Sequence, residues 1–214
     1  MDIFSALRQR VSASYFDSSQ QLTDAQIEEL IGAALQAPSA YNLQHTRFLA
    51  VTDSTAKKVL QGIAYQQAKV AEAAVTFIVL ADIEAYKKLP AIVQASVTAG
   101  ILVEEKAKST IDTATRLYSN NSALARDEAI RSASMAAMAL MLAATAKGWA
   151  SCPMIGFDNN KLTTHFCISA RYLPVMLIAV GQAATGNSAQ KPRLPLHEVL
   201  AQDIRPLQEH AFSH

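Results

Sequence analysis

Residues 75–80, Val-Thr-Phe-Ile-Val-Leu, constrain this chain's fold more than any other stretch. An uncharged run rich in β-branched side chains suits a strand buried on both faces. Helical and extended patterns alternate around it without a tandem repeat, which argues for an α/β or α+β layered fold. Ile3, Phe4 and Leu7 recur at helical spacing within residues 2–10. Thr23 followed by Gln26 is a capping-box opening for a second helix, whose apolar face is Ile27, Leu30, Ile31 and Ala34. Residues 48–51 read as a short strand, and Asp53 or Ser54 can cap the helix after it. A helical stretch at 84–108 is expected to break near Pro90 and Gly100.

The longest predicted element is a helix over residues 123–147, stopped by Gly148. It is mainly alanine and methionine, with Ser132, Ser134 and Thr145 among them, so neighbouring helices can approach closely. That fits a central packing helix or an ordinary core helix of one subunit, and composition does not separate them. Residues 129–146 are apolar enough to raise the question of a membrane span, but Arg131, Ser132 and Ser134 interrupt them. The opening Met1 to Arg8 lacks the basic start and long apolar stretch of a secretory signal. A soluble, cytoplasmic protein is expected. Residues 150–155 read as extended, Asp158 as a helix cap, and 174–180 as the last strand, ending at Gly181. Beyond Gly186 the tail holds Pro192, Pro195 and Pro206 and is expected to wrap over other elements in extended form. No linker divides the 214 residues, so one domain, 1–214, is expected.

A formal net charge of +1 argues against a nucleic-acid surface or a basic membrane patch. Cys152 and Cys167 are too few for a disulfide framework. His45, His165, His197, His210 and His214 show no metal spacing, and Cys152 with His165 lacks the local signature of a thiol nucleophile and its base. With only seven glycines, no dinucleotide-binding fingerprint is hidden, so a nicotinamide cofactor needs a site built by something else.

The candidate site lies in dispersed segments. Pro38 must end the helix that begins near Thr23, and Ser39, Asn42 and Gln44 then offer hydrogen bonds to a planar, polar-edged ligand. A plain turn is the simpler reading of that loop. Arg10 with Ser12 can hold a phosphate by charge-assisted bonds. Lys191 and Arg193 alternate around Pro192 and would point to one side, facing an anion or solvent. Gln66 and Lys69 would share a helix face, where Lys69 could stabilise negative charge on a heterocycle or sit on the surface. Gly156, at the end of Pro153-Met154-Ile155-Gly156, would let a backbone amide approach a ligand closely, or serve a tight turn.

In this order and at this spacing, these segments resemble the flavin-dependent nitroreductase family. The likeness runs from Met1-Asp2-Ile3 through Phe16-Asp17 and the Ala37-Pro38-Ser39 loop. It continues to Pro153-x-x-Gly156-Phe157-Asp158 and Lys191-x-Arg193-Leu194-Pro195, covering nearly the whole chain. The resemblance implies an α+β fold with a central mixed sheet flanked by helices, in an intertwined homodimer with FMN at the subunit interface. Arg10, Ser12, Lys191 and Arg193 would hold the FMN phosphate and ribityl chain. Gln66 and Lys69 would face the pyrimidine edge, with Lys69 stabilising the anionic reduced ring. Pro153 and the backbone at Ile155 and Gly156 would approach the hydride-accepting nitrogen, and Pro38, Ser39 and Asn42 would come from the partner subunit. The implied activity is reduction of nitroaromatic or quinone acceptors by NADH or NADPH in alternate occupancy, with no side chain required as acid or base. Three positions depart from the family pattern: Ser14 stands where many members are basic, His45-Thr46 where proline and tryptophan are common, and Ile155 where one branch has glutamate. The readings that compete are a flavin-binding protein without nicotinamide turnover and a non-flavin interaction protein.

Overall fold

The fold is known from a computed structural model that describes residues 1–200; Pro206, His210 and His214 lie outside the described residues. Its centre is a sheet of β1 (Thr46–Val51), β2 (Val75–Asp82), β3 (Ala150–Met154) and β4 (Tyr172–Gly181), in the order β1-β2-β4-β3. All three strand pairings are antiparallel. The mixed character expected of the sheet is confined to one parallel bridge, Ser12 with Ser151. Every residue of β2 is buried, as its apolar run requires. Pro174 enters the central strand β4 at the irregularity beside Val79 and Leu80, and Pro153 sits on the edge strand β3, the places where a missing N–H is tolerated.

Side chains of β2 alternate between two cores. On one face Ile78 and Leu80 join Leu177, Ala179, Cys152 and Met154. This face is covered by α3 (Ser54–Ile63), α4 (Ala68–Glu72) and α8 (Asn159–His165) through Leu60, Ile63, Val70 and Leu162. On the other, Val75, Phe77, Val79 and Ala81 meet α2 (Asp24–Ala34) and α7 (Ser122–Ala146). Small residues on α7, Ala129, Ala133, Ala136 and Ala137, let it lie close to the sheet, so this long apolar helix is a core helix. Its end is a Schellman turn: Gly148 at φ +84°, with its N–H on Thr145 O (3.0 Å) and that of Trp149 on Ala144 O (2.8 Å).

Local sequence signals fix most boundaries. Thr23 and Gln26 form the reciprocal capping box of α2, while Asp53 and Asp158 cap α3 and α8. The expected break falls just before Pro90, where a 3₁₀ turn (Ala85–Lys88) gives way to α5 (Leu89–Thr98), and Pro90 occupies the first turn of α5, where its absent N–H costs nothing. Gly100, at φ +71°, separates α5 from α6 (Glu104–Ser119). These helices close a third core with the start of α7, through Leu89, Val93, Ala107 and Tyr118. The tail is not extended throughout, since one helical turn, α9 (Leu196–Val199), interrupts it.

Two further features bear on assembly and stability. The first helix, α1 (Ile3–Gln9), buries Ala6 yet leaves Ile3, Phe4 and Leu7 exposed. At the end of β2, the fully buried Asp82 carboxylate accepts two 2.7 Å bonds from Arg171. Asp82 also accepts one at 3.1 Å from the N–H of Glu84.

Candidate functional site: a cationic cavity

After Arg10, the C-cap of α1, the chain runs along the edge of β3: Ser12 bridges Ser151, and the N–H of Ala13 donates to Ser151 O at 3.0 Å. Further on, Phe16 bridges Ala183, two residues past Gly181. A Cβ on Gly181 would stand 2.9 Å from Ala74 N, so glycine is required for this approach. The tail then returns beside the same segment. Asn187 Oδ1 accepts from Ser14 N (2.6 Å) and Tyr15 N (3.1 Å), and its Nδ2 donates to Tyr15 O and Ala184 O. Gln190 Nε2 donates to Leu7 O (3.2 Å) and Arg10 O (3.4 Å). Two side-chain amides thus hold the tail against the N-terminal segment.

Between these segments lies a cavity of about 410 Å³, within the size range of cofactor sites. Arg10, Lys69, Lys191 and Arg193 line it, with Ser12 and Ser14, and among the described residues no carboxylate faces it. Cations collected from separated parts of a chain without a counter-charge repel one another and favour an anionic occupant. Lys191 and Arg193 line the same cavity, as alternation around Pro192 predicts. Arg193 also donates to its own backbone, at Lys191 O (2.8 Å) and Pro192 O (3.4 Å).

Lys69, Cys152 and Pro153 also line the cavity. Lys69 stands on α4 and is half-buried, its Nζ 3.5 Å from Cys152 Sγ. The far end of α4 is tied down by Lys57, which donates 2.7 Å to Ala73 O; burial pushes the Lys57 ammonium below its ordinary pKa.

Gln66 departs from expectation. It precedes α4 in a left-handed turn with Tyr65 (φ +60° and +54°), so it shares no helix face with Lys69. Gln66 is exposed, does not line the cavity, and has its amide nitrogen toward Gly62. The neighbouring Gln67 makes the long-range bond, donating 2.9 Å to Gly156 O. Ile155 is 83% exposed beyond β3.

Pro38, Ser39 and Asn42 lie elsewhere in the chain. Pro38 and Ser39 line a separate pocket of about 50 Å³ with His45, Arg47 and Ser132. Ser39 Oγ accepts from Gln44 N at 2.9 Å, and Asn42, at φ +55°, ends an exposed 3₁₀ turn. His45 is buried there with Nδ1 unpaired, and burial pushes its pKa below the ordinary imidazole value. Sequence reasoning missed Gln67, Asn187 and Gln190, whose partners are backbone groups far along the chain.

The nitroreductase family pattern matches residues 7–182. The chain belongs to the nitroreductase family. MhqN of Bacillus subtilis, provisionally named an NAD(P)H nitroreductase, is 36% identical over 188 residues, 87% of this chain and 90% of that protein. A provisionally described nitroreductase from Exiguobacterium sibiricum, solved in complex with FMN, superposes with a TM-score of 0.87 at 25% identity, covering 95% of this chain and 98% of that one. A provisionally described NAD(P)H:FMN oxidoreductase from Staphylococcus epidermidis superposes at 0.88 and 25% identity, covering 94% and 95%. The α+β architecture described above is therefore the nitroreductase fold.

Proposed function

We propose that this nitroreductase-family chain is an FMN-dependent NAD(P)H oxidoreductase whose cofactor phosphate lies among Arg10, Ser12, Lys191 and Arg193. The observation that carries the reading is the cationic cavity itself, which among the described residues has four cations and no carboxylate and is closed by the tail. Its donor set fits a phosphate monoester, since guanidinium and ammonium groups supply charge-assisted bonds and Ser12 a hydroxyl. FMN held there would supply two-electron hydride chemistry between NADH or NADPH and a nitroaromatic or quinone acceptor in alternate occupancy. The protein binds, orients and tunes. Lys69, which lines the cavity, would set a positive charge beside the pyrimidine edge, and the turn at Ile155 and Gly156, which follows the lining residue Pro153 but does not itself line the cavity, would approach the reactive edge. No residue is assigned as proton donor. Purified protein should absorb in the visible flavin bands and oxidise NADH or NADPH with a quinone. A colourless protein that fails to bind added FMN overturns the reading, and flavin without nicotinamide turnover makes it a binding protein.

Lys69→Met keeps most of the side-chain length and removes the charge. The variant should fold and bind FMN, but its midpoint potential should fall by roughly 30 mV, about 1.4 kcal/mol for a two-electron couple. An unchanged potential with FMN fully bound makes Lys69 a mere lining residue.

The cytoplasmic homodimer belongs to this proposal. Pro38, Ser39 and Asn42 lie outside their own chain's cavity, which fits their serving a partner's flavin. The exposed Ile3, Phe4 and Leu7 on α1 and Met135 on α7 supply an apolar surface for a second copy. Sedimentation across dilutions should show a dimer whose dissociation releases FMN. A monomer that retains its flavin contradicts this arrangement.

A further inference from the structure

The turn after α3 is built at a conformational cost. Tyr65 and Gln66 both adopt left-handed backbone (φ +54° and +60°), a region that side chains other than glycine enter rarely. This contortion delivers Gln67. Although Gln67 is the N-cap of α4, its side chain makes no capping bond. Its amide instead crosses to Gly156 O at 2.9 Å, joining positions 89 residues apart in a half-buried setting. A second strap runs beside it, from Asp158 N to Ile63 O (3.0 Å). Within the strapped segment, Phe157 N closes a tight turn onto Ile155 O (3.1 Å). The same α4 that begins at this turn carries Lys69 into the cavity, and the strand that feeds the strapped segment gives the cavity Cys152 and Pro153.

We propose that Gln67 is a positioning residue: its side-chain amide anchors the Gly156 carbonyl, fixes the Gly156–Phe157 peptide of the turn after β3 that the flavin reading sets at the reactive edge, and couples that turn to α4. The inference rests on the flavin reading above. A carbonyl anchored by a donated bond fixes its peptide plane, and with it the direction of the neighbouring N–H. Gln67 touches neither phosphate nor ring in this arrangement, so its loss should spare cofactor affinity and impair hydride transfer, which depends on alignment.

Gln67→Ala and Gln67→Glu in the full-length protein test this. In the flavin-free protein, amide hydrogen exchange at Phe157 and Asp158 should quicken by about tenfold in both variants at neutral pH, the effect of losing one structural hydrogen bond. FMN affinity should stay within about twofold of wild type while flavin reduction by NAD(P)H slows by about tenfold. Gln67→Glu should recover both exchange protection and reduction rate as the pH falls and its carboxyl gains a proton to donate, whereas Gln67→Ala should not. Unchanged exchange overturns the inference, as does quickened exchange with an unaltered reduction rate. Wild-type protein that binds no FMN at all overturns the flavin reading instead, whatever the exchange shows.

Discussion

Arg171→Ala should destabilise the folded chain by about 3 kcal/mol, the lower end of the cost of stripping one partner from a buried ion pair. Asp82 is fully buried, and Arg171 supplies both of its short bonds, Nε to Oδ1 and Nη2 to Oδ2 at 2.7 Å each. Without Arg171, the carboxylate keeps the Glu84 N–H at 3.1 Å and a distant, partly exposed Arg47 at 3.7 Å, which soften the loss without replacing it. The pair joins the end of β2 to the residue before β4, so its loss acts on the central strand pairing of the sheet. Urea unfolding monitored by circular dichroism, with an unchanged slope and a lowered midpoint, is the expected result. The double variant Asp82→Leu/Arg171→Met should recover most of the loss, because an apolar pair leaves no orphaned charge. A single-variant loss below about 1 kcal/mol would show that water or Arg47 already satisfies Asp82.

Arg10→Ala and Arg193→Ala should each weaken FMN binding by about tenfold or more, and the pair by more than either alone, since hydrogen bonds to charged groups contribute about 1.5–3 kcal/mol each. The residues approach the cavity from opposite ends of the chain but would bind one phosphate, so their effects are expected to be coupled rather than additive. Of the two, Arg193 already donates to Lys191 O, and any need to release that bond on binding would make its effect the smaller. Titration of the flavin-free variants with FMN, at fixed ionic strength, measures both effects. Unchanged affinity in either removes that residue from the phosphate site.

Local physics made much of this legible from the sequence. The buried strand follows from the charge-free run at 75–80, and α2 starts where Thr23 and Gln26 satisfy each other's backbone donors. The long helix stops where Gly148 can take a positive φ that other residues resist. Each outcome is decided within a few residues of the signal. Arg10, Ser12, Lys69, Lys191 and Arg193 were legible because their order resembles a family, and the fold brings them to one cavity.

Long-range hydrogen bonding was not legible. Whether Gln66 or Gln67 reaches across depends on which peptide turns left-handed after α3, and helical spacing from Gln66 to Lys69 fails because the helix begins only at Ala68. Asn187 and Gln190 close the cavity by bonding backbone groups 173 and 180 residues away, and a side-chain amide carries no local mark of such a partner. Nor does spacing reveal which apolar faces stay uncovered: Ile3, Phe4 and Leu7 have helical periodicity yet remain exposed. The sequence by itself determined where elements begin, end and bury a face, because those choices are settled by neighbouring dihedrals and side chains. Only the tertiary structure decided which polar group pairs with which, because that depends on distances the folded backbone alone sets.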